Sequence, residues 1–144
     1  MQGKDEKIRY TDSTMGIRGE DLVGFFQGWP HPPTSETHLL LLNQSDEAVL
    51  AIEEKTGRGV GFITAVTDGV LSAYIPLLEV LPAYRRRGIG GELVRRMIDK
   101  LAGLYMIDLI CDREMQAFYE PQGMKPAEGM MIRHYECQSG RVNK

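Results

Sequence analysis

Residues 77–101 read LLEVLPAYRRRGIGGELVRRMIDKL, an apolar strand, a short turn and a glycine-led helix in one continuous stretch. From Ile89 the apolar residues Leu93, Val94, Met97, Ile98 and Leu101 recur at the spacing of one helical face, while Glu92, Arg95, Arg96, Asp99 and Lys100 take the other. Gly103 closes the helix. At its start Gly88, Gly90 and Gly91 carry no Cβ, so a ligand can approach a backbone whose first-turn N–H groups have no partner inside the helix. The positive end of the helix dipole favours each nearby negative charge by roughly 0.3–1 kcal/mol. Arg85, Arg86 and Arg87 surround the same spot. A phosphate or pyrophosphate fits there; the plainer reading is a helix with a glycine start and a solvated arginine run.

Two phosphate-binding patterns fail on spacing. GxxxxGK[ST] requires a Lys-Ser or Lys-Thr pair that does not follow these glycines, and GxGxxG meets Leu93 at its third glycine. What remains is Arg85-Arg86-Arg87-Gly88-Ile89-Gly90, preceded by Val80-Leu81-Pro82 at a strand end. This resembles the acyl-coenzyme A signature Arg-x-x-Gly-x-Gly of the GNAT-type (Gcn5-related) N-acetyltransferase family. A second segment, Asp112-x-x-Met115-x-x-Phe118-Tyr119-x-x-x-Gly123-Met124, is similar to the family's Asn-x-x-Ala-x-x-Phe-Tyr-x-x-x-Gly-Phe. Asp112 stands for Asn, Met115 for Ala and Met124 for Phe; Asp caps a helix as well as Asn does, so the first change is mild.

With 144 residues the chain has room for one domain, 1–144, and its 42% hydrophobic and 26% charged shares are those of an ordinary globular protein. No apolar run is long enough to span a bilayer, and MQGKDEKIRY is too polar for a signal peptide, so a cytoplasmic location is expected. Cys111 and Cys137 are too few for a disulfide framework and read as free thiols. Net charge is −3 while three arginines stand together, so the basicity is local. That suits a small anionic ligand and not a nucleic-acid backbone.

In chain order, Ile8 to Tyr10 reads as a short strand and Ile17 to Gln27 as an amphipathic helix ended by Gly28. GWPHPPTSE is a loop, after which Thr34 or Ser35 caps a helix to about Leu42. Val49–Glu53 and Val60–Thr67 read as strands, and Asp68-Gly69 as a two-residue hairpin turn returning antiparallel from Val70 to Leu81. Pro76 interrupts that strand and predicts a break in the sheet. Tyr105–Cys111 is a strand reached by a right-handed parallel crossover, Asp112 caps a helix from Arg113 to about Glu120, and Met130–Cys137 reads as a last strand. The resemblance implies a three-layer α/β/α fold of the α+β class, its sheet mostly antiparallel with one parallel pair and a splayed central strand that admits pantetheine.

The activity implied is transfer of an acetyl group from acetyl-coenzyme A to a primary amine of a small molecule, by direct attack in a ternary complex without a metal. By resemblance, Arg85, Arg86, Arg87, Gly88, Ile89, Gly90 and Gly91 cradle the cofactor's phosphates. Leu78, Val80, Asp112 and Phe118 complete its site, with the Val80 backbone meeting the pantetheine. Tyr119 matches the family's general-acid tyrosine; otherwise it is a core residue beside Phe118. Glu79, the only carboxylate between Tyr74 and Leu81, lies by alternation opposite Leu78 and Val80, and can take the amine proton directly or through water. Its alternative is an ion pair with an arginine. Trp29, His31 and Tyr74 are candidates for the acceptor pocket, Trp29 alternatively anchoring its loop. The segment LICDREMQAFYEPQGM is also similar to that of glucosamine-phosphate acetyltransferases. Pro76 and Ile110 stand where that branch carries sugar-handling carboxylates, so its substrate is not carried over. A protein N-terminal or lysine acetyltransferase, and a non-catalytic acyl-coenzyme A sensor, are the rival readings. A homodimer is an expectation from the same resemblance.

Overall fold

The computed structural model describes residues 6–141. Five strands form one sheet in sequence order: β1 (Ile8–Thr11), β2 (Glu47–Glu53), β3 (Gly59–Thr67), β4 (Ser72–Val80) and β5 (Met106–Asp108). The first four pair antiparallel, and β5 joins β4 in parallel. Between those two strands runs the long helix of the glycine motif, Ile89–Lys100; with Ser35–Gln44 as α1 it becomes α2. A mixed sheet with helices on both faces is the α+β architecture the two motifs imply.

Alternation along β3 divides its side chains between two layers. Phe62 meets Phe25, Phe26 and His38 of the α1 layer, with ring centroids 4.4–6.0 Å apart. A Cβ built on the neighbouring Gly61 would instead touch Ile89 and Leu93 of α2. α2 buries Ile89, Leu93, Val94 and Met97 against β2, β3 and β4. At roughly 1.5–3 kcal/mol per fully buried large apolar side chain, that face is what holds the helix down.

The break at Pro76 is present in two forms. Ala65 of β3 opposes both Ile75 and Pro76, a bulge between the Thr64–Leu77 and Val66–Tyr74 pairs. On the other side, β4 and β5 pair only over Ser72–Met106, Ala73–Ile107 and Tyr74–Asp108. From Ile75 onward the two strands part.

Several elements differ from the pattern reading. The helix over Ile17–Gln27 is a single 3-10 turn, Gly19–Leu22; Gly24 (φ 103°) and Phe26 (φ 65°) turn the chain left-handed, which no helix tolerates. The β3–β4 connection is a four-residue loop because Asp68 Oδ1 accepts hydrogen bonds from Val70, Leu71 and Ser72, carrying the turn past Gly69. Those amides hold the Asp68 carboxyl down at about 2. The strand expected over Tyr105–Cys111 stops at Asp108, since β4 has already left it. Between Arg113 and Gln122 the expected helix is a 3-10 turn (Arg113–Met115), one α turn, α3 (Gln116–Tyr119), and another 3-10 turn at Pro121. Asp112 precedes it, but its side chain makes no capping bond; its carbonyl accepts from Met115 N (2.9 Å). Met130–Cys137 forms no strand and ends in a 3-10 turn at Tyr135–Cys137.

His38 of α1 is a core residue, 1% exposed among Phe25, Phe26 and Phe62. Neither ring nitrogen has a hydrogen-bond partner, and burial pushes its pKa down to about 4. Between about pH 6.5 and 4 the unfolded chain takes up a proton that the folded chain refuses, so stability falls as pH drops through that window. The full difference is on the order of 3 kcal/mol. His38→Leu is expected to remove that slope, read from urea unfolding at pH 7 and pH 4; a variant as acid-sensitive as the wild type would overturn the assignment.

Candidate active site

After β4 the chain makes a 3-10 turn at Pro82–Tyr84 and passes through Arg86 (φ 65°) and Gly88 (φ 82°) before α2 begins. Two left-handed residues so close together swing the helix start back toward the strand it came from. Gly88 can adopt that φ without cost, whereas Arg86 carries about 1–2 kcal/mol of strain. No side chain caps α2, and its first internal bond runs from Glu92 N to the Gly88 carbonyl (3.0 Å). The amides of Ile89, Gly90 and Gly91 precede that bond and are the helix's unpaired donors.

Two of the three arginines are partly committed to the loop itself. Arg85 Nε donates to the Val80 carbonyl (2.9 Å). Arg87 donates to Ala83 O (2.7 Å), pairs with Glu6 (3.0 Å) and lies over the Tyr84 ring at 4.8 Å. Arg86 is exposed.

Phe118 is the wedge between this helix start and the parted strands. A Cβ on Gly90 would come within 3.2 Å of Phe118 Cζ and 3.8 Å of Val80 Cγ2, so glycine is what allows the ring to lie there. Gln122 Nε2 adds a hydrogen bond to Gly91 O (3.3 Å). Tyr119, edge-on to Phe118 at 4.9 Å, is 9% exposed and faces a cleft of about 840 Å³ on the other side. Tyr74, Asp108, Cys111 and Gln116 line the same cleft. Burial, with the nearby Cys111 thiol, pushes the Tyr119 phenol up to about 12, and burial raises Cys111 as well. Adjacent residues of one helical turn thus face different surroundings, Phe118 the start of α2 and Tyr119 the cleft.

Glu79 shares a face with Tyr74, since their β3 partners Phe62 and Val66 are four residues apart. It is not paired with an arginine in any contact seen here: Oε1 accepts from Phe26 N (2.8 Å) and Oε2 from Gln27 N (3.2 Å). Those bonds fix the turn at which Phe26 is left-handed. Trp29 packs on Phe26 at 4.9 Å, and the amide of the exposed His31 donates to Gln138 Oε1 (3.2 Å). The structure therefore brings Tyr74 and Tyr119 together in the cleft, while Glu79, Trp29 and His31 are not among its lining residues. Leu78 and Val80 lie on the α2 side of β4, and Asp112 is exposed beyond the strand end. Pattern reading missed Gln138 and Cys111 as neighbours of these groups: Gln138 lies on an irregular segment, and Cys111, expected to end a strand, lies past Asp108, where β5 stops.

A family model described as the acetyltransferase (GNAT) family matches residues 14–124. GCN5-related N-acetyltransferase 1, chloroplastic, of Arabidopsis thaliana is 33% identical over 116 residues, covering 77% of this chain and 58% of that protein. The chain thus spans little more than half the length of that relative. A crystal structure of a candidate acetyltransferase from Deinococcus radiodurans R1 is 43% identical, with a TM-score of 0.91 over 94% of both chains. A GNAT-family acetyltransferase from Streptococcus pneumoniae TIGR4 is 26% identical, with a TM-score of 0.68 over 90% of this chain and 98% of that one.

Glu79→Gln replaces one acceptor oxygen with an amide that faces an N–H. It is expected to cost about 1–3 kcal/mol of stability, measured by urea unfolding at pH 7. An unchanged midpoint would show that the two amide contacts do not hold the Phe26–Gln27 turn.

Proposed function

The chain belongs to the acetyltransferase (GNAT) family, and from that membership we propose that it moves an acetyl group from acetyl-coenzyme A to a primary amine of a small molecule, by direct attack in a ternary complex. Three observations carry the reading together: the parting of β4 and β5 beyond Tyr74, the uncapped amides at the start of α2, and the Tyr119 phenol on the cleft that Tyr74 and Asp108 line. The donor set suits a diphosphate: Ile89, Gly90 and Gly91 offer three amides, and Arg85, Arg86 and Arg87 supply the positive charge. Leu78, Val80, Phe118 and Asp112 border the path from there to the cleft. When bound, the thioester supplies an activated acyl carbon. The two free cysteines suit a reducing compartment, and the reaction is assigned to the cytoplasm.

An alkyl amine with a pKa near 10.4 lies about three units, roughly 4 kcal/mol, from its nucleophilic form at neutral pH. Glu79 can receive that proton through a water, because each of its oxygens keeps a lone pair beyond the one used by Phe26 or Gln27. The new bond is C–N and the broken one C–S, so a thiolate departs. A phenol titrating at about 12 is a weaker acid than an ordinary thiol at about 8.5. Full proton transfer to the sulfur is therefore uphill by roughly 5 kcal/mol. Tyr119 acts as a hydrogen-bond donor that steadies the thiolate, with its final proton coming from solvent.

Tyr119→Phe is expected to lower kcat about 10- to 100-fold, the loss of one hydrogen bond to a charged group, while the Kd for acetyl-coenzyme A stays within about threefold. Steady-state kinetics with a panel of primary amines and calorimetry measure the two. Since burial keeps the phenol protonated, kcat/KM should rise from pH 6 to 9 as the amine loses its proton, with no descending limb below about pH 10. Unchanged turnover would remove Tyr119 from the mechanism, and such a limb would mean that the phenol titrates well below 12; a Glu79→Gln enzyme at full rate from pH 6 to 9 would remove Glu79 as base.

A further inference from the structure

The cleft beside Tyr119 carries more negative than positive charge. Asp108, Glu120 and Glu128 line it against a single cation, Lys125. None of the four forms an ion pair or a side-chain hydrogen bond with a described residue. Unpaired surface carboxylates are ordinary by themselves, but here a second observation points to a ligand. Tyr119 lines the same cleft at 9% exposure, and its hydroxyl has no hydrogen-bond partner among the described residues. A buried hydroxyl without a protein partner marks a place that a polar group from outside can fill. The rest of the lining suits a cation on an apolar body. Tyr74 and Tyr105 add two more rings, whose faces attract positive charge, and Ile107, Leu109 and Met124 offer apolar surface to methylenes.

We propose that this cleft selects an amine carrying a second positive charge, such as an α,ω-diamine, and that Asp108 holds the charge that does not react. Asp108 lies opposite Tyr74 in the last β4–β5 pair, so it stands at the fork where the sheet opens. Glu120 begins a 3-10 turn and Glu128 lies on irregular chain, which leaves Asp108 as the carboxylate with a strand backbone behind it. A carboxylate in direct contact with the reacting ammonium would hold its proton on and oppose attack. Set against a second ammonium, the same carboxylate orients the acceptor and leaves the reacting nitrogen free to lose its proton. The charge balance also disfavours acceptors that carry a carboxylate or phosphate of their own.

As a statement about the acceptor, the proposal rests on the acetyl-transfer reading, so binding and turnover are measured apart. Calorimetry compares pentylamine, the pentane α,ω-diamine and the ω-amino acid of the same length, each with and without saturating coenzyme A, on the wild type and on Asp108→Asn. The Asp108 side chain is exposed and bonds to no described residue, so the variant should keep the wild-type far-UV spectrum and unfolding midpoint. The diamine is expected to bind the wild type about tenfold more tightly than pentylamine, beyond the twofold given by its two ends, and the amino acid more weakly than either. In Asp108→Asn the affinities of diamine and monoamine should converge to within about threefold. A diamine held no more tightly than the monoamine, a preference that survives Asp108→Asn, or no diamine binding up to millimolar concentration would each overturn the proposal. Preferred, Asp108-dependent binding of a diamine that acetyl-coenzyme A never acetylates would uphold the cation site and remove the acetyl-transfer reading instead.

Discussion

The structure turns on a hydrogen-bond ladder that stops. Three β4–β5 pairs form and then, at Ile75, the parallel partner is gone. Pro76 has no N–H to offer any neighbour, and the bulge at Ala65 bends β4 at the same point. An open seam of backbone in a sheet is costly unless something else fills it. Arg85 Nε takes the Val80 carbonyl at the far end, and Phe118 is wedged between Gly90 and Val80. The seam stays open because it is propped by side chains from both of the segments that the two sequence motifs identify.

That dependence explains which parts of the chain were legible. The strands, α1 with its Thr34 cap and the amphipathic α2 follow from local pattern, because each buries one face against one layer. Pro76 announced the break, because the missing donor is a property of the residue itself. The misread stretches are those whose conformation is set from a distance. Glu79, more than fifty residues away, holds the turn at Phe26 and Gln27 that replaces the expected helix. Asp68 reads as one half of a hairpin dipeptide, yet its carboxylate gathers three amides and lengthens the loop. Met130–Cys137 reads as a strand from its residue types, but a strand requires a neighbour to pair with, and no described strand pairs with this segment. Of the candidate site, Tyr119 and the glycine turn lie on the elements their motifs named, and Tyr74 lines the same cleft as Tyr119. Glu79 is on the anticipated face but occupied with backbone, which alternation alone cannot reveal.

His38 shows the same limit from the core side. A lone histidine beside a proline-rich loop can be structural or solvent-exposed, and only the packing of Phe25, Phe26 and Phe62 around it shows a neutral ring serving as an aromatic filler. The cluster includes Phe26, whose amide donates to Glu79, so this turn is fixed by apolar packing beneath and by a carboxylate above.

The arginine run invites the view that charge does the work at the start of α2, and the geometry argues otherwise. An exposed arginine beside an anion gains about 0.2–1 kcal/mol after screening, and Arg85 and Arg87 already donate to carbonyls of their own loop. Three amides fixed by helix geometry lose no side-chain entropy on meeting a ligand and point the same way as the helix dipole. A strained Arg86 is hard to justify as a mere surface residue, since almost any other path through the turn would avoid its positive φ. It is intelligible if the loop's task is to aim those amides. The bonds from Arg85 to Val80 and from Arg87 to Ala83 then tie the turn to the end of β4, and on the proposed function a diphosphate would be met chiefly by the backbone that the arginines hold in place.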